Sequence, residues 1–210
     1  MSAALHLAER GVGVAVLDAA EPGWGASGRN GGQIIPGLKH DPDELERQFG
    51  RETGRRMWQI AGGAADFVFE LIARHKISCH AQQCGWIAAA PHAAALESVR
   101  SRTEQWLRRG AAVELLDRRR IQELTGTTGY VGGMLDRRAG ALQPLAFVRG
   151  LAWAAQRAGA AIHGGSLVRG LEVAPGGWRV DTQAGSVTAR SVILATNAYT
   201  DDLWPGLRRT

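Results

Sequence analysis

Lysine is nearly missing from this chain: of its 25 cationic residues only Lys39 and Lys76 are lysine, and the rest are arginine. Cysteine is almost as scarce, with 2 in 210 residues. That excludes a disulfide-dense secreted scaffold and fits a reducing compartment, the cytoplasm. No apolar run reaches the ~18 residues a membrane span requires. The opening residues are not expected to act as a secretory signal, because they have no basic stretch and His6, Glu9 and Arg10 interrupt any apolar one. No internal repeat or low-complexity linker is present. What is plentiful is glycine, 28 residues, together with 45% hydrophobic and 21% charged residues. This composition describes a globular chain with enough apolar mass for a core, and excludes global disorder.

The net charge of +5 invites a nucleic-acid reading. The arginines sit in short clusters, Arg55-Arg56, Arg108-Arg109, Arg118-Arg119-Arg120 and Arg137-Arg138, with no aromatic-interleaved basic motif beside them. Solvated helix faces account for them, and no nucleic-acid partner is expected.

Residues 1–11 read as a helix stopped by Gly11, and Val12–Leu17 as a buried parallel strand ending in Asp18. Helix, glycine, strand and acid form the second half of a dinucleotide-binding βαβ unit, in which the acid accepts hydrogen bonds from ribose hydroxyls. The phosphate-binding G-x-G-x-x-G stands about 20 residues before that acid. Counting back from Asp18 leaves the sequence. An ordinary α/β unit with a surface Asp at a strand end produces the same pattern.

The middle of the chain alternates helices and strands. Asp41 is placed as a helix cap with Pro42 at the first position and Glu44 reaching back. The helical pattern then runs to Ile72, with Gly50, Gly54 and Gly62-Gly63 as points where it kinks or splits. Strands are expected at 85–89, 113–116 and 130–135. Helices are expected from about 93 to 109, closed by Gly110; from Asp117 to near Gly126; and from Pro144 to Gly159. His75, Cys79, His80 and Cys84 fall within ten residues. They alternate across a helix end and a strand start, a poor spacing for one tetrahedral point, so no metal site is expected.

The segment Gly23–Gln33, GWGASGRNGGQ, is too rich in glycine for a helix or regular strand. It offers many unhindered backbone N–H groups beside Ser27, Arg29 and Asn30, which suits phosphates and a flat polar ring. Here the sequence resembles the FAD-dependent oxidoreductases of the glycine/D-amino-acid oxidase (DAO) superfamily, and most of all the gamma-glutamylputrescine oxidase branch in residues 25–33. Two later stretches agree. Gly164–Val173 resembles the strand that brings a valine backbone, here Val168, to the adenine edge. Trp178–Thr182, Gly185–Ala189 and Ser191–Thr200 resemble a hairpin feeding a buried strand whose Ala195-Thr196-Asn197-Ala198 turn faces the nucleotide. The resemblance covers essentially the whole chain.

The resemblance implies an α/β fold: an incomplete Rossmann-like FAD-binding domain with an inserted α+β substrate-domain segment. The FAD-binding parts are 1–78 and 141–210, and the substrate-domain part is 79–140. It implies FAD as cofactor, a small amine or amino acid as substrate and dioxygen as acceptor. Asp18 would hold the ribose. Ser27, Gly28 and Arg29 would line the pyrophosphate and ribityl path, and Asn30, Gly31, Gly32 and Gln33 would approach the isoalloxazine. Val168 would meet the adenine, with Ala195, Thr196 and Asn197 facing the nucleotide. No catalytic residue is assigned. Family members run to roughly twice this length, so the expectation is an inactive fragment that lacks the phosphate-loop glycines and the C-terminal half. Two rivals remain at this stage: a non-catalytic remnant, and an adenosine-nucleotide-binding module without flavin chemistry.

Overall fold

The computed structural model describes residues 1–206, without the side chain at position 201; the last four residues of the expected 141–210 segment lie outside them. In chain order the elements are α1 (Ser2–Ala8), β1 (Ala15–Leu17), α2 (Ala26–Arg29), β2 (Gln33–Ile34), α3 (Pro42–Phe49) and α4 (Arg51–His75). Next come β3 (Trp86–Ala90), α5 (Ala93–Leu107), β4 (Val113–Leu116), α6 (Arg118–Thr125), β5 (Gly132–Asp136), β6 (Gly140–Ala141) and α7 (Pro144–Arg157). The chain finishes with β7 (Ala161–His163), β8 (Val168–Ala174), β9 (Gly177–Thr182), β10 (Ser186–Ala189) and two short 3-10 turns, Asn197–Tyr199 and Asp201–Leu203. Two compact units result, Met1–Arg29 with Val148–Thr210, and Asn30–Phe147.

In the first unit, α1 buries Ala4, Leu5 and Ala8 on one face, while α7 buries Val148, Leu151, Ala152 and Ala155 at helical spacing. Each helix leads through a glycine to a strand, and these strands, β1 and β7, pair in parallel: Ala15 opposite Ala161, Leu17 opposite His163. Strands β8, β9 and β10 form an antiparallel meander in the order β10-β9-β8. Two expectations fail here. The strand at 12–17 shrinks to three residues and is not buried, its pattern being exposed at Ala15 and half-buried at Val16 and Leu17. A parallel strand is buried only when both of its faces are covered, and the exposure of Ala15 shows that one face of β1 is open. The buried strand expected within 191–200 does not form either. Val192, Leu194 and Thr196 are half-buried and alternate with exposed Ser191, Ile193 and Ala195, yet no strand lies along them. The period of two is written in the sequence, whereas the ladder partner that makes a strand of it is not local.

In the second unit a three-stranded antiparallel sheet, ordered β3-β5-β4, carries α5 and α6. Its fully buried centre is β5, GGMLD. Trp106, Val113 and Met134 form one apolar cluster with Trp58 and Trp86 against it, and Leu116, Ile121 and Leu135 form another with Ile87 and Tyr130. Strands β2 and β6 make a separate antiparallel pair. The helical run breaks at Gly50 alone (φ 82°), and Gly54, Gly62 and Gly63 stay inside α4. The capping box at Asp41 does not form. Its carboxylate accepts instead from Arg102 at 2.6 Å, and the Asp43 N–H donates to Gln105 Oε1 at 2.9 Å. The Asp41 carboxylate is thus held by a cation 61 residues away and makes no cap bond of its own. Asp117 does cap α6, accepting from the Arg120 N–H at 2.7 Å. No helix among the described residues is long and apolar enough to cross a membrane.

Candidate functional site

The C-terminal ends of parallel strands are where open α/β sheets bind ligands, and β1 and β7 end together. Asp18 follows β1 directly. Its N–H donates to the His163 carbonyl at 2.9 Å and its carbonyl accepts from the Ser166 N–H at 2.7 Å. The half-buried carboxylate accepts the Ala20 N–H through Oδ1 at 3.1 Å, which holds it in a tight turn. The backbone after β7 is tied to the same place, with the Gly165 N–H on the Ala20 carbonyl at 3.1 Å. Val168 then opens β8 at a bulge. It pairs with Thr182 while Gly170 pairs with Asp181, leaving Arg169 as the extra residue. Bulges re-aim the backbone and recur beside functional sites.

Residues 23–29 correct the expectation of an entirely irregular loop, because α2 forms one helical turn there. The turn exists because Gly28 can lie against Gly23. A Cβ at position 28 would stand 1.9 Å from the Gly23 carbonyl oxygen. Ser27 and Arg29 are exposed. The Arg29 guanidinium lies over the Trp24 ring, 4.5 Å from its centroid, and Trp24 meets Tyr199 edge to face at 6.3 Å. Tyr199 belongs to the turn that follows Ala195 and Thr196. Asn197 takes a left-handed φ of 50°, the Thr200 Oγ1 donates to its carbonyl at 2.7 Å, and the Thr196 and Thr200 hydroxyls are 2.6 Å apart. Asp18, the 23–29 segment, Val168 and the 195–199 turn all belong to the first unit.

The rest of the glycine segment belongs to the second unit. Asn30 Oδ1 accepts from the Gly32 N–H at 2.9 Å, so this side chain organises the segment itself. Buried Gly32 has φ 71°, its carbonyl accepts from the Leu142 N–H at 2.8 Å, and a Cβ on it would lie 2.1 Å from the Leu142 carbonyl oxygen. Gln33 is exposed on β2, opposite Ala141. Gly31 differs from both neighbours. Its φ is not left-handed, and a Cβ there would meet no atom of the described residues within 4 Å beyond its chain neighbours.

Trp24 and Tyr199 are what sequence reasoning missed. The available signal was an aromatic residue inside a glycine-rich loop. Also missed was a cation–aromatic ladder in the second unit. Arg109 lies over Trp58, Arg138 lies over Trp106, and the two indoles meet at 88°. Both arginines are satisfied by carboxylates, Arg109 by Asp43 and Glu46, and Arg138 by Asp136 at 2.6 Å. Hydrogen bonds from Trp58 and Arg109 lower the pKa of Glu46 below the usual carboxylate range. Cavities of about 390 and 270 Å³ flank this ladder, and neither is lined by a sequence-predicted site residue. Cys79 is buried, which raises the pKa of its thiol, and Cys84 is exposed. Among the described residues, no three His, Cys, Asp or Glu side chains are grouped to hold a metal ion.

The family model described as DAO, FAD dependent oxidoreductase, matches residues 1–210, and the chain belongs to that family. It is similar to gamma-glutamylputrescine oxidoreductase of Escherichia coli strain K12, at 35% identity over 204 residues, 96% of this chain and 47% of that protein. It is equally similar to the probable oxidoreductase OrdL of Haemophilus influenzae, at 35% identity over 205 residues, 97% of this chain and 47% of that one. The chain thus spans about half the length of the curated relatives it matches. Its fold is like that of glycine oxidase from Geobacillus kaustophilus, with a TM-score of 0.78 at 21% identity, covering 95% of this chain and 53% of that one. L-proline dehydrogenase from P. horikoshii gives a TM-score of 0.74 at 19% identity, covering 94% and 50%.

Proposed function

We propose that this chain supplies FAD-binding residues, and part of a substrate domain, to an enzyme that oxidises the C–N bond of an amine or amino acid. The observation that carries the reading is the build of the glycine segment. Gly28 and Gly32 are glycines for packing reasons internal to the protein, since a Cβ on either would collide with a carbonyl oxygen. Among the described residues Gly31 has no such reason, since a Cβ there would point into open space. A main chain kept bare where the protein itself does not need it suits the close approach of a flat ring. The donor chemistry fits as well. Among the described residues Arg29 has no carboxylate partner, only the face of Trp24, so its guanidinium can serve a pyrophosphate.

In this reading Asp18 accepts ribose hydroxyls. Ser27, Gly28 and Arg29 line the pyrophosphate and ribityl path, and Asn30, Gly31, Gly32 and Gln33 meet the ring. Val168 serves the adenine, with Ala195, Thr196 and Asn197 toward the nucleotide. Residues 1–78 and 141–210 are FAD-binding, and 79–140, which hold the β3-β5-β4 sheet, belong to the substrate domain. Bound FAD supplies the acceptor for a hydride from the carbon next to nitrogen, giving an imine that water hydrolyses. Dioxygen is the final acceptor, and the two free cysteines suit the cytoplasm. The 35% identity to gamma-glutamylputrescine oxidoreductase supports an amine substrate.

Residues 1–210 alone hold FAD weakly and do not turn over amines in this reading. The support is the β1–β7 pair, which has no further ladder partner among the described residues, the 62% exposure of Ile193, and a length about half that of the relatives. Flavin titration of the purified chain, followed by peroxide release with polyamines and small amino acids, tests it. Amine-dependent peroxide from this chain alone would overturn the inactivity, and tight stoichiometric FAD binding would overturn the weak-binding part.

A further inference from the structure

Trp24 and Tyr199 are more than half exposed, at 55% and 57%, although each is a large aromatic touching the other. They join two segments far apart in sequence. Gly25 packs on the same contact, since a Cβ there would sit 3.3 Å from the Tyr199 ring. Tyr199 is itself held by its N–H on the Thr196 carbonyl at 3.0 Å. At the other end of the contact, Arg29 rests on Trp24 and on no acidic side chain among the described residues. A guanidinium stacked on an indole keeps its N–H edge free for an anion, because the ring occupies its face and not its donors.

We infer that Trp24 and Tyr199 are positioning residues for a nucleoside diphosphate group: Tyr199 braces Trp24, and Trp24 presents the Arg29 guanidinium. This rests on the FAD reading above and goes beyond it by assigning two residues that touch no reacting atom. The charge of Arg29 meets the diphosphate. The aromatic pair fixes where that charge stands and reduces the side-chain freedom lost on binding. Tyr199 acts through its ring, so its hydroxyl is dispensable.

The test is titration of the full 210-residue chain with FAD and with ADP at two ionic strengths, alongside amide hydrogen exchange of residues 25–29 without ligand. The variants are Trp24→Ala, Tyr199→Ala, Tyr199→Phe, Arg29→Ala and the double change of Trp24 and Arg29 to Ala. Trp24→Ala and Arg29→Ala are each expected to raise both dissociation constants about tenfold. The double variant should be no worse than either, because the pair acts as a unit. Salt dependence should shrink in all three. Tyr199→Ala should weaken binding and speed exchange of 25–29, and Tyr199→Phe should do neither. If wild type binds and Trp24→Ala or Tyr199→Ala binds equally well, the positioning role is overturned while the FAD reading stands. If wild type binds neither ligand, both the FAD reading and the diphosphate role are overturned. Faster exchange in Tyr199→Ala would then leave the aromatic contact as a structural brace only.

Discussion

Replacing Gly28, Gly31 and Gly32 by alanine, one at a time, separates packing from ligand approach. At Gly28 the new methyl would stand 1.9 Å from the Gly23 carbonyl oxygen, so the backbone must move. Overpacking of that kind costs about 1–3 kcal/mol. Gly32 adds a left-handed φ of 71° to a clash at 2.1 Å with the Leu142 carbonyl. The conformation alone costs an L-residue roughly 1–2 kcal/mol, so this variant loses the most, about 2–5 kcal/mol in all. Gly31 meets nothing within 4 Å, and alanine there is neutral or stabilises by up to about 1 kcal/mol through the unfolded chain. For a chain of this size each kcal/mol moves the melting temperature by roughly 2–4 °C. Thermal melts should therefore order the variants Gly31, Gly28, Gly32 from most to least stable. Flavin affinity should not follow that order. Gly31→Val, which keeps the fold, should still lose most FAD binding, because its side chain fills the space left for the ring. Unchanged FAD affinity in a stably folded Gly31→Val would refute the reasoning, as would a melting loss at Gly31 as large as that at Gly28.

Asp18→Ala should weaken FAD binding by about 1.5–3 kcal/mol, the range for a hydrogen bond to a charged group, with helical circular dichroism retained; equal dissociation constants would count against a ribose contact. Asp136→Ala removes the partner of Arg138, where side-chain exposures are 3% and 13%, and should cost about 3–5 kcal/mol in chemical denaturation. Glu46 has a folded pKa below its unfolded one, so the stability it contributes is present above the unfolded value and is lost as pH falls through the folded one. Denaturation midpoints of Glu46→Gln should thus fall below wild type at neutral pH and converge with it in acid; a constant gap at every pH would contradict this.

Elements with local signals were legible in the sequence. Asp117 and Gly126 bracket α6 as a cap and a left-handed stop, and Pro144 and Gly159 bound α7, since each acts through its own backbone turn. Features that depend on distant partners were not. Asp41 stands at the N-cap position as its sequence signal indicates, but Arg102 takes its carboxylate and no side-chain cap bond forms. Residues 191–196 alternate like a strand, yet strand status needs a neighbour that local pattern does not encode. For the proposed site, the glycines, Asp18 and Val168 were singled out from residue type and order alone. The Trp24–Tyr199 contact was not, because it joins positions 175 residues apart through the fold. The glycine segment was read as irregular, and its single helical turn follows from the Gly28–Gly23 approach, which composition alone does not specify.

The most direct measurement is FAD titration of the purified chain by flavin fluorescence, repeated with ADP as competitor and with Asp18→Ala. The account predicts weak, saturable binding of one FAD, displaced by ADP and weakened by the Asp18 change. Absence of saturable binding, or binding indifferent to both ADP and Asp18→Ala, would contradict it.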